Sequence, residues 1–531
     1  MVKILRQNLI LVLILCLALF LRTYRLDYLE LFGDELDAGY QSYSLSTTGR
    51  DYKGNFLPSY IHSFSEWRAP GLMYAMITFI KIFGLNEWGV RMGPAVFGIL
   101  SIWGFYLLLL KIGITKKVGL LTVFILSITP WHIQYSRAGF EITLLSSLLM
   151  FGLYFLISKK VVFSAVLLAL CLYVYSSANV LMPLLVIMTL YFYKLNLKQF
   201  LRFCLIGFLV STPILYQLFF GHVGDRFNSL SLLNNKDVIA EVIEYRNNSG
   251  NTLVSKVFYN KYVISAKKIL FNYSNALGSN FLFNEGDVTF RHSLHQVGNL
   301  FWIEMPLIIW GVVSLIKNKK YFWMIGFILI SPIASSLTIG GYNHATRLFL
   351  LVFPLSFFAA YGFEKLNKFK LLVVAILMFE FLRFQYFYWN FYRDQSWKWW
   401  HTGYKESMRY INENKNKYQK VVMDNTYEPA LIRFLFWNKT DSHLVFDFAD
   451  NKDVDVDGFN GYCLDNKYCF VNFKDKFRLE NMKNNTLYLI SQERNVGGDW
   501  DWSKNTPSGI RVLKTVYNYF NFPIFYLVSL K

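Results

Sequence analysis

The sequence predicts a mainly α polytopic membrane protein, a bundle of about eleven transmembrane helices, followed by a small α/β domain outside the bilayer. Three observations lead there. The chain of 531 residues is 54% hydrophobic, 19% aromatic and only 17% charged, with mean hydropathy +0.30, far from soluble averages. Apolar runs of membrane length recur over residues 1–390. Beyond Trp397, Lys398, Trp399 and Trp400 the composition becomes that of an ordinary soluble domain, residues 391–531.

The runs long enough to span, at roughly 17 to 25 residues each, are 4–21, 91–110, 118–135, 141–158, 161–177, 178–193, 200–220, 299–316, 321–338, 347–363 and 370–388. The opening Lys3, Arg6 and the Leu9–Leu21 run have the look of a signal peptide, but no small-x-small site precedes Arg22, so an uncleaved first helix is expected. Pro70–Gly84 is apolar but short, and reads as a juxtamembrane or re-entrant helix.

A net charge of +19 suits either a nucleic acid or an anionic lipid surface. Its location decides for the membrane. Lys116 and Lys117, Lys159 and Lys160, Lys194 with Lys198 and Arg202, Lys317 with Lys319 and Lys320, and Lys365 with Lys368 and Lys370 all sit between apolar runs. With the N-terminus inside, alternate crossing puts every one of these clusters on the cytoplasmic side, as the positive-inside rule requires. No nucleic-acid partner is expected, and the location is the plasma (inner) membrane.

The same parity gives the outer face the loop 22–90, the turn Ser136–Glu141, the long loop 221–298 and the turn Gly340–Arg347, which are expected to converge on one cavity. It also puts the C-terminal domain outside. There, strand-like runs at Lys420–Met423, Phe470–Phe473, Leu487–Ile490 and Phe522–Leu530 alternate with helical pieces at Tyr404–Asn414 and Glu428–Phe436. Cys16, Cys171 and Cys204 fall in apolar runs, whereas Cys463 and Cys469 share a polar loop and either form a disulfide after export or stay as thiols.

The chemistry is carried by the outer segments. Gly33, Asp34, Glu35, Leu36 and Asp37 follow the first span, and a carboxylate at the edge of a low-dielectric region is a candidate general base. Adjacent residues diverge by about 100 degrees on a helix, so one of Asp34 and Glu35 does the chemistry and the other supports it; the bland alternative is a helix-capping cluster. Arg68, Arg91, Arg137, Arg291, His292 and Arg347 lie on the same side, each near a membrane end, with Glu141 one turn after Arg137. Taken singly each Arg is an interfacial anchor, but together they suit a phosphate or pyrophosphate.

His292 and His295 lack a third ligand at metal spacing, so no required metal is expected. The chain has no phosphate-binding Gly-rich loop, no dinucleotide fingerprint and no Gly-x-Ser-x-Gly elbow. A sugar donor carried on a polyprenyl phosphate fits, because its lipid tail lies among helices while its phosphate meets outward Arg.

The order of these parts resembles the GT-C glycosyltransferase superfamily, and within it family 39, which includes protein O-mannosyltransferases and the aminoarabinose transferases that modify lipid A. The matching features are Asp34–Glu35 in the first outer loop and Arg68-Ala69-Pro70 where the family has Lys-Pro-Pro or His-Pro-Pro. They continue with GLNEWGVR at Gly84–Arg91, Arg137 with Glu141 where relatives carry Asp, and HATRLFLLVFP at His344–Pro354. The resemblance implies a GT-C bundle and inverting transfer of a sugar from a polyprenyl-phosphate donor to an acceptor hydroxyl on a lipid, glycan or protein. It implies Asp34 as the base, with Arg68, Arg91, Arg137 and Arg347 holding donor phosphate. The competing reading is a transporter or flippase of lipid-linked sugars, against which the spans carry no mid-membrane charge and show no inverted repeat.

Overall fold

Each apolar run expected to span is helical in the computed structural model, which describes residues 2–63, 67–221, 231–425, 428–446, 454–473, 477, 479–498 and 500–531. Residues 64–66 and 222–230 of the two long outer loops lie outside the described residues, as do the side chains of Lys3, Arg6 and Lys320. Among the described residues four helices are long and apolar enough to cross a membrane, or five if one bent pair counts as a single span; the other expected spans are apolar helices of 10–17 residues. The chain is an integral membrane protein.

The first helices are α1 (Val2–Thr23), α2 (Gly33–Thr48), α3 (Gly71–Phe83), α4 (Glu87–Lys111), α5 (Lys116–Ile128), α6 (Pro130–Ser136) and α7 (Ile142–Ile157). The expected unbroken span 118–135 is in fact α5 and α6, bent by 62°. Pro130 is the cause: it has no N–H to continue the helix, and it holds Thr129 out of the helical region at ψ 128. The 13 residues of α3 fall short of the roughly 17 a crossing needs.

The chain forms two compact units. The first comprises Met1–Tyr24, Ser59–Leu72 and Arg91–Asn390. Its helices pack through small residues, as expected where lipid leaves contact and shape to do the work. A Cβ on Gly311 would lie 2.1 Å from the Phe358 carbonyl oxygen and one on Gly362 2.0 Å from that of Leu307, so the helices Glu304–Leu315 and Val352–Lys365 cross with backbones nearly touching. Gly152 of α7 admits Leu168 in the same way, and its carbonyl accepts the Ser164 hydroxyl at 2.9 Å.

The second unit joins Arg25–Pro58 and Met73–Val90 to Phe391–Lys531. Its centre is a seven-stranded sheet. After a short hairpin of the first unit, β1 (Ile61–His62) and β2 (Trp67–Arg68), the strands are β3 (Lys420–Asp424), β4 (Val454–Val456), β5 (Phe459–Leu464), β6 (Tyr468–Asn472), β7 (Thr486–Ser491), β8 (Ile510–Tyr517) and β9 (Pro523–Leu530). The order is β4-β5-β6-β3-β7-β9-β8, with β3 parallel to β6 and β7 and the other pairs antiparallel.

All the expected strands are present; β4, β5 and β8 are additional. Period-two alternation buries Val422, Val471, Tyr488, Ile490, Tyr526 and Val528 on one face. The other face meets the helix Tyr404–Asn414, where Tyr404 packs on Phe525 with ring centroids 4.6 Å apart. Cys463 and Cys469 are opposite one another in the β5–β6 pair and are disulfide-bonded.

In the same unit α2 is pinned to this domain. A Cβ on Gly39 would lie 2.7 Å from both Phe436 and Val90, so only glycine lets α2 approach the helix Ala430–Trp437 this closely. The Tyr40 hydroxyl donates to the Thr440 carbonyl at 2.9 Å, and Phe32 meets Trp400 edge-on at 5.5 Å. Glu30 accepts from the N–H groups of Gly403 (2.9 Å) and Lys405 (3.2 Å) at the start of the helix Tyr404–Asn414, where a carboxylate suits the dipole.

Candidate active site

In the second unit, Asp34 and Glu35 occupy the first turn of α2 and do different things. Glu35 is fully buried, and its Oε2 accepts the Phe32 N–H at 3.3 Å, satisfying an orphan donor of the helix start. Asp34 is exposed. One turn's geometry therefore commits one carboxylate to structure and presents the other to solvent. Just before them the Gly33 N–H donates to His401 Nδ1 at 3.3 Å, and His401 Nε2 lies 3.3 Å from Glu428.

In the first unit the bend at Pro130 sets the frame for the candidate residues there. It turns α6 into a short, wholly buried helix carrying His132, Tyr135 and Ser136 and ending at Arg137. Arg22, at the end of α1, donates to His132 Nδ1 at 2.9 Å and to the Ser127 carbonyl at 3.0 Å. A guanidinium has only donors, so Nδ1 is the acceptor and Nε2–H donates to the Ser101 hydroxyl, 3.1 Å away. Arg137 reaches back to the Leu21 carbonyl and the Tyr388 hydroxyl, both at 3.0 Å, with its guanidinium over the rings of Tyr388 (5.2 Å) and Trp389 (4.9 Å).

Two of the expected outer segments meet at Tyr135, the last residue of the expected span 118–135. Its hydroxyl lies 3.0 Å from His292 Nδ1 in the long loop and 2.9 Å from the Thr346 hydroxyl in the late turn. Gln134 adds a bond to the Arg291 carbonyl at 3.0 Å. Buried Asp287 fastens the same junction, accepting from the Ala345 N–H at 2.8 Å and from the Thr289 N–H at 2.9 Å. His344 is half-buried there beside the Arg347 charge, and its pKa lies well below the usual range, through desolvation first and that charge second.

Arg347 itself donates to the Thr338 hydroxyl at 2.7 Å and the Ile339 carbonyl at 3.3 Å, which fixes its position. Arg68 and Arg91 are buried in the same unit, on β2 and in the second turn of α4, and Glu141 is the residue capping α7. Asp34 and Glu35 belong to the other unit. Sequence reasoning gave no site role to Arg22, His132, Tyr135, Asp287, His344 or Tyr388. The signal for His132 was present, a polar ring inside an apolar run next to a proline; for Tyr388 there was none. Among the described residues no group of three or more His, Cys, Asp or Glu is placed to hold a metal ion.

Residues 12–158 match the family of dolichyl-phosphate-mannose-protein mannosyltransferases. The archaeal oligosaccharyltransferase AglB from Archaeoglobus fulgidus, solved with an inhibitory peptide and a dolichol-phosphate, superposes with TM-score 0.50 at 14% identity, over 82% of this chain. The chain has a GT-C-type fold. It spans 64% of the length of that archaeal protein. ArnT from Cupriavidus metallidurans is similar over 97% of each chain, with 12% identity and TM-score 0.45. No curated protein matches this GT-C-type chain in sequence.

Proposed function

We propose that the protein is a membrane glycosyltransferase that moves a sugar, with inversion, from a polyprenyl-phosphate donor to an acceptor hydroxyl outside the cytoplasm. The observation that carries this reading is the overlap between the family match, residues 12–158, and the chemistry-bearing positions Asp34, Glu35, Arg68, Arg91, Arg137 and Glu141. A dolichol-phosphate in the archaeal protein of similar fold supports a lipid-phosphate donor.

In this reading Asp34 takes the proton of the acceptor hydroxyl as its oxygen bonds to the anomeric carbon. The bond from that carbon to the phosphate oxygen breaks on the opposite face, and the electron pair leaves with the polyprenyl phosphate. Arg68, Arg91, Arg137 and Arg347 offset the growing negative charge, with Arg291, His292 and Glu141 shaping the phosphate's surroundings. No separate cofactor is needed, because the donor carries its own activated bond. The disulfide between Cys463 and Cys469 supports an extracytoplasmic C-terminal domain, since reducing compartments keep such thiols apart.

The test is transfer from a polyprenyl-phosphate sugar by protein in detergent, with products read by mass spectrometry from a lipid-extract donor screen. Asp34→Asn should lower the rate by at least about a hundredfold, the lower range of general-base contributions, with the melting temperature unchanged. Full activity in that variant removes the assignment.

A further inference from the structure

The second unit contains a cleft of about 430 Å³ that the transfer chemistry does not use. The volume lies within the roughly 300–1,000 Å³ of ordinary ligand sites. Trp397, Phe520 and Phe522 line it, the two phenylalanines 52% and 65% exposed. The backbone that carries the two phenylalanines is not loose. Asn518, itself buried, accepts from the N–H groups of Phe520 (2.9 Å) and Phe522 (3.0 Å), and its own N–H donates to the Phe522 carbonyl at 2.9 Å. The β8–β9 turn is thereby fixed with aromatic faces held open to solvent.

Part of the lining is polar. Ser491, Gln492, Glu493 and Gly498 line the cleft, in and around the turn Gln492–Val496, which left-handed Gly497 and Gly498 close and where Gln492 Nε2 donates to the carbonyls of Gly498 (3.2 Å) and Trp500 (2.9 Å). Lys398 and Glu493, both lining the cleft, pair at 2.9 Å, so the two charges cancel.

We infer that this cleft binds a neutral glycan chain. A pyranose ring has an apolar C–H face, which stacks on an aromatic ring, and a rim of hydroxyls, which needs donors and acceptors beside that ring; the cleft supplies both. A free anion finds no net charge here. A membrane-anchoring tip would be convex and rimmed by cations, whereas this site is concave with an acidic group among its lining residues. On the transferase reading proposed above, the cleft makes a glycan the acceptor class; the binding itself does not depend on that reading.

The experiment uses the full chain in detergent without donor, titrated with mannotetraose, maltotetraose and the N-acetylglucosamine tetramer by saturation-transfer NMR. At least one should bind. Phe522→Ala and Trp397→Ala should each weaken it about tenfold, as loss of a stacked ring does, and Trp397→Phe should restore most of the loss. Melting temperatures of the variants control for folding, and Phe522, at an exposed turn, is the safer of the two. No binding by any of the three sugars, or binding undiminished in both alanine variants, overturns the inference. So does brominated-lipid quenching, in nanodiscs, of the fluorescence that Trp397→Phe removes, which would make the aromatic tip a bilayer contact. Because no transfer is read, failure here leaves the Asp34 assay untouched, and the reverse holds as well.

Discussion

At the scale of single residues, the outer carboxylates show how one chemical group is assigned different work by its surroundings. Glu35 caps its helix from a buried position, Asp34 next to it is exposed, and Glu30 is enclosed by backbone donors. Adjacency in the sequence foretold that Asp34 and Glu35 would diverge; it did not foretell which would face water, because that depends on what packs against α2. Glu30 gives a prediction with a definite sign. Burial, the largest cause, raises its pKa from 4.5 to about 7, with nearby Glu87 adding to the rise and the N–H groups of Gly403 and Lys405 opposing it. The folded state then holds this proton more tightly than the unfolded chain, so the contribution of Glu30 to stability falls as pH rises from about 4.5 through about 7. Glu30→Gln should flatten the dependence of melting temperature on pH across that window, with the gain greatest above pH 7. Parallel profiles for the two proteins would refute the assignment.

At the scale of elements, one local feature in each unit positions candidate residues there. Pro130 converts an expected single span into a pair of helices, and the resulting short helix is what brings Tyr135 to His292 and Thr346. The proline was visible in the sequence, yet length and hydropathy alone favoured one continuous run. Gly39 is the second feature, the point where α2 touches Phe436 and Val90. Gly39→Ala should destabilise the protein by about 1–3 kcal/mol through overpacking, although alanine is the better helix former. The measurement is thermal unfolding of the purified variant, and a melting temperature at or above that of the parent would show that α2 yields without cost.

At the scale of the whole molecule, sidedness is the property on which the proposed chemistry depends. Cysteine-accessibility labelling at Asn248, in the long loop, and Asn484, just before β7, should mark both from outside the cell; labelling from opposite faces would break the topology. The sequence by itself determined the membrane class, the approximate position of the apolar runs, the clustering of Lys and Arg between them, four of the strands and the GT-C resemblance. These are written in hydropathy, in period-two alternation and in short motifs, each of which acts over a few neighbouring residues. Only the tertiary structure decided that residues 25–58 and 73–90 fold with the C-terminal domain, that Cys463 faces Cys469, and that Tyr135 joins segments more than 150 positions apart. Those pairings rest on close packing and on satisfying buried polar groups, and neither leaves a periodic trace along the chain.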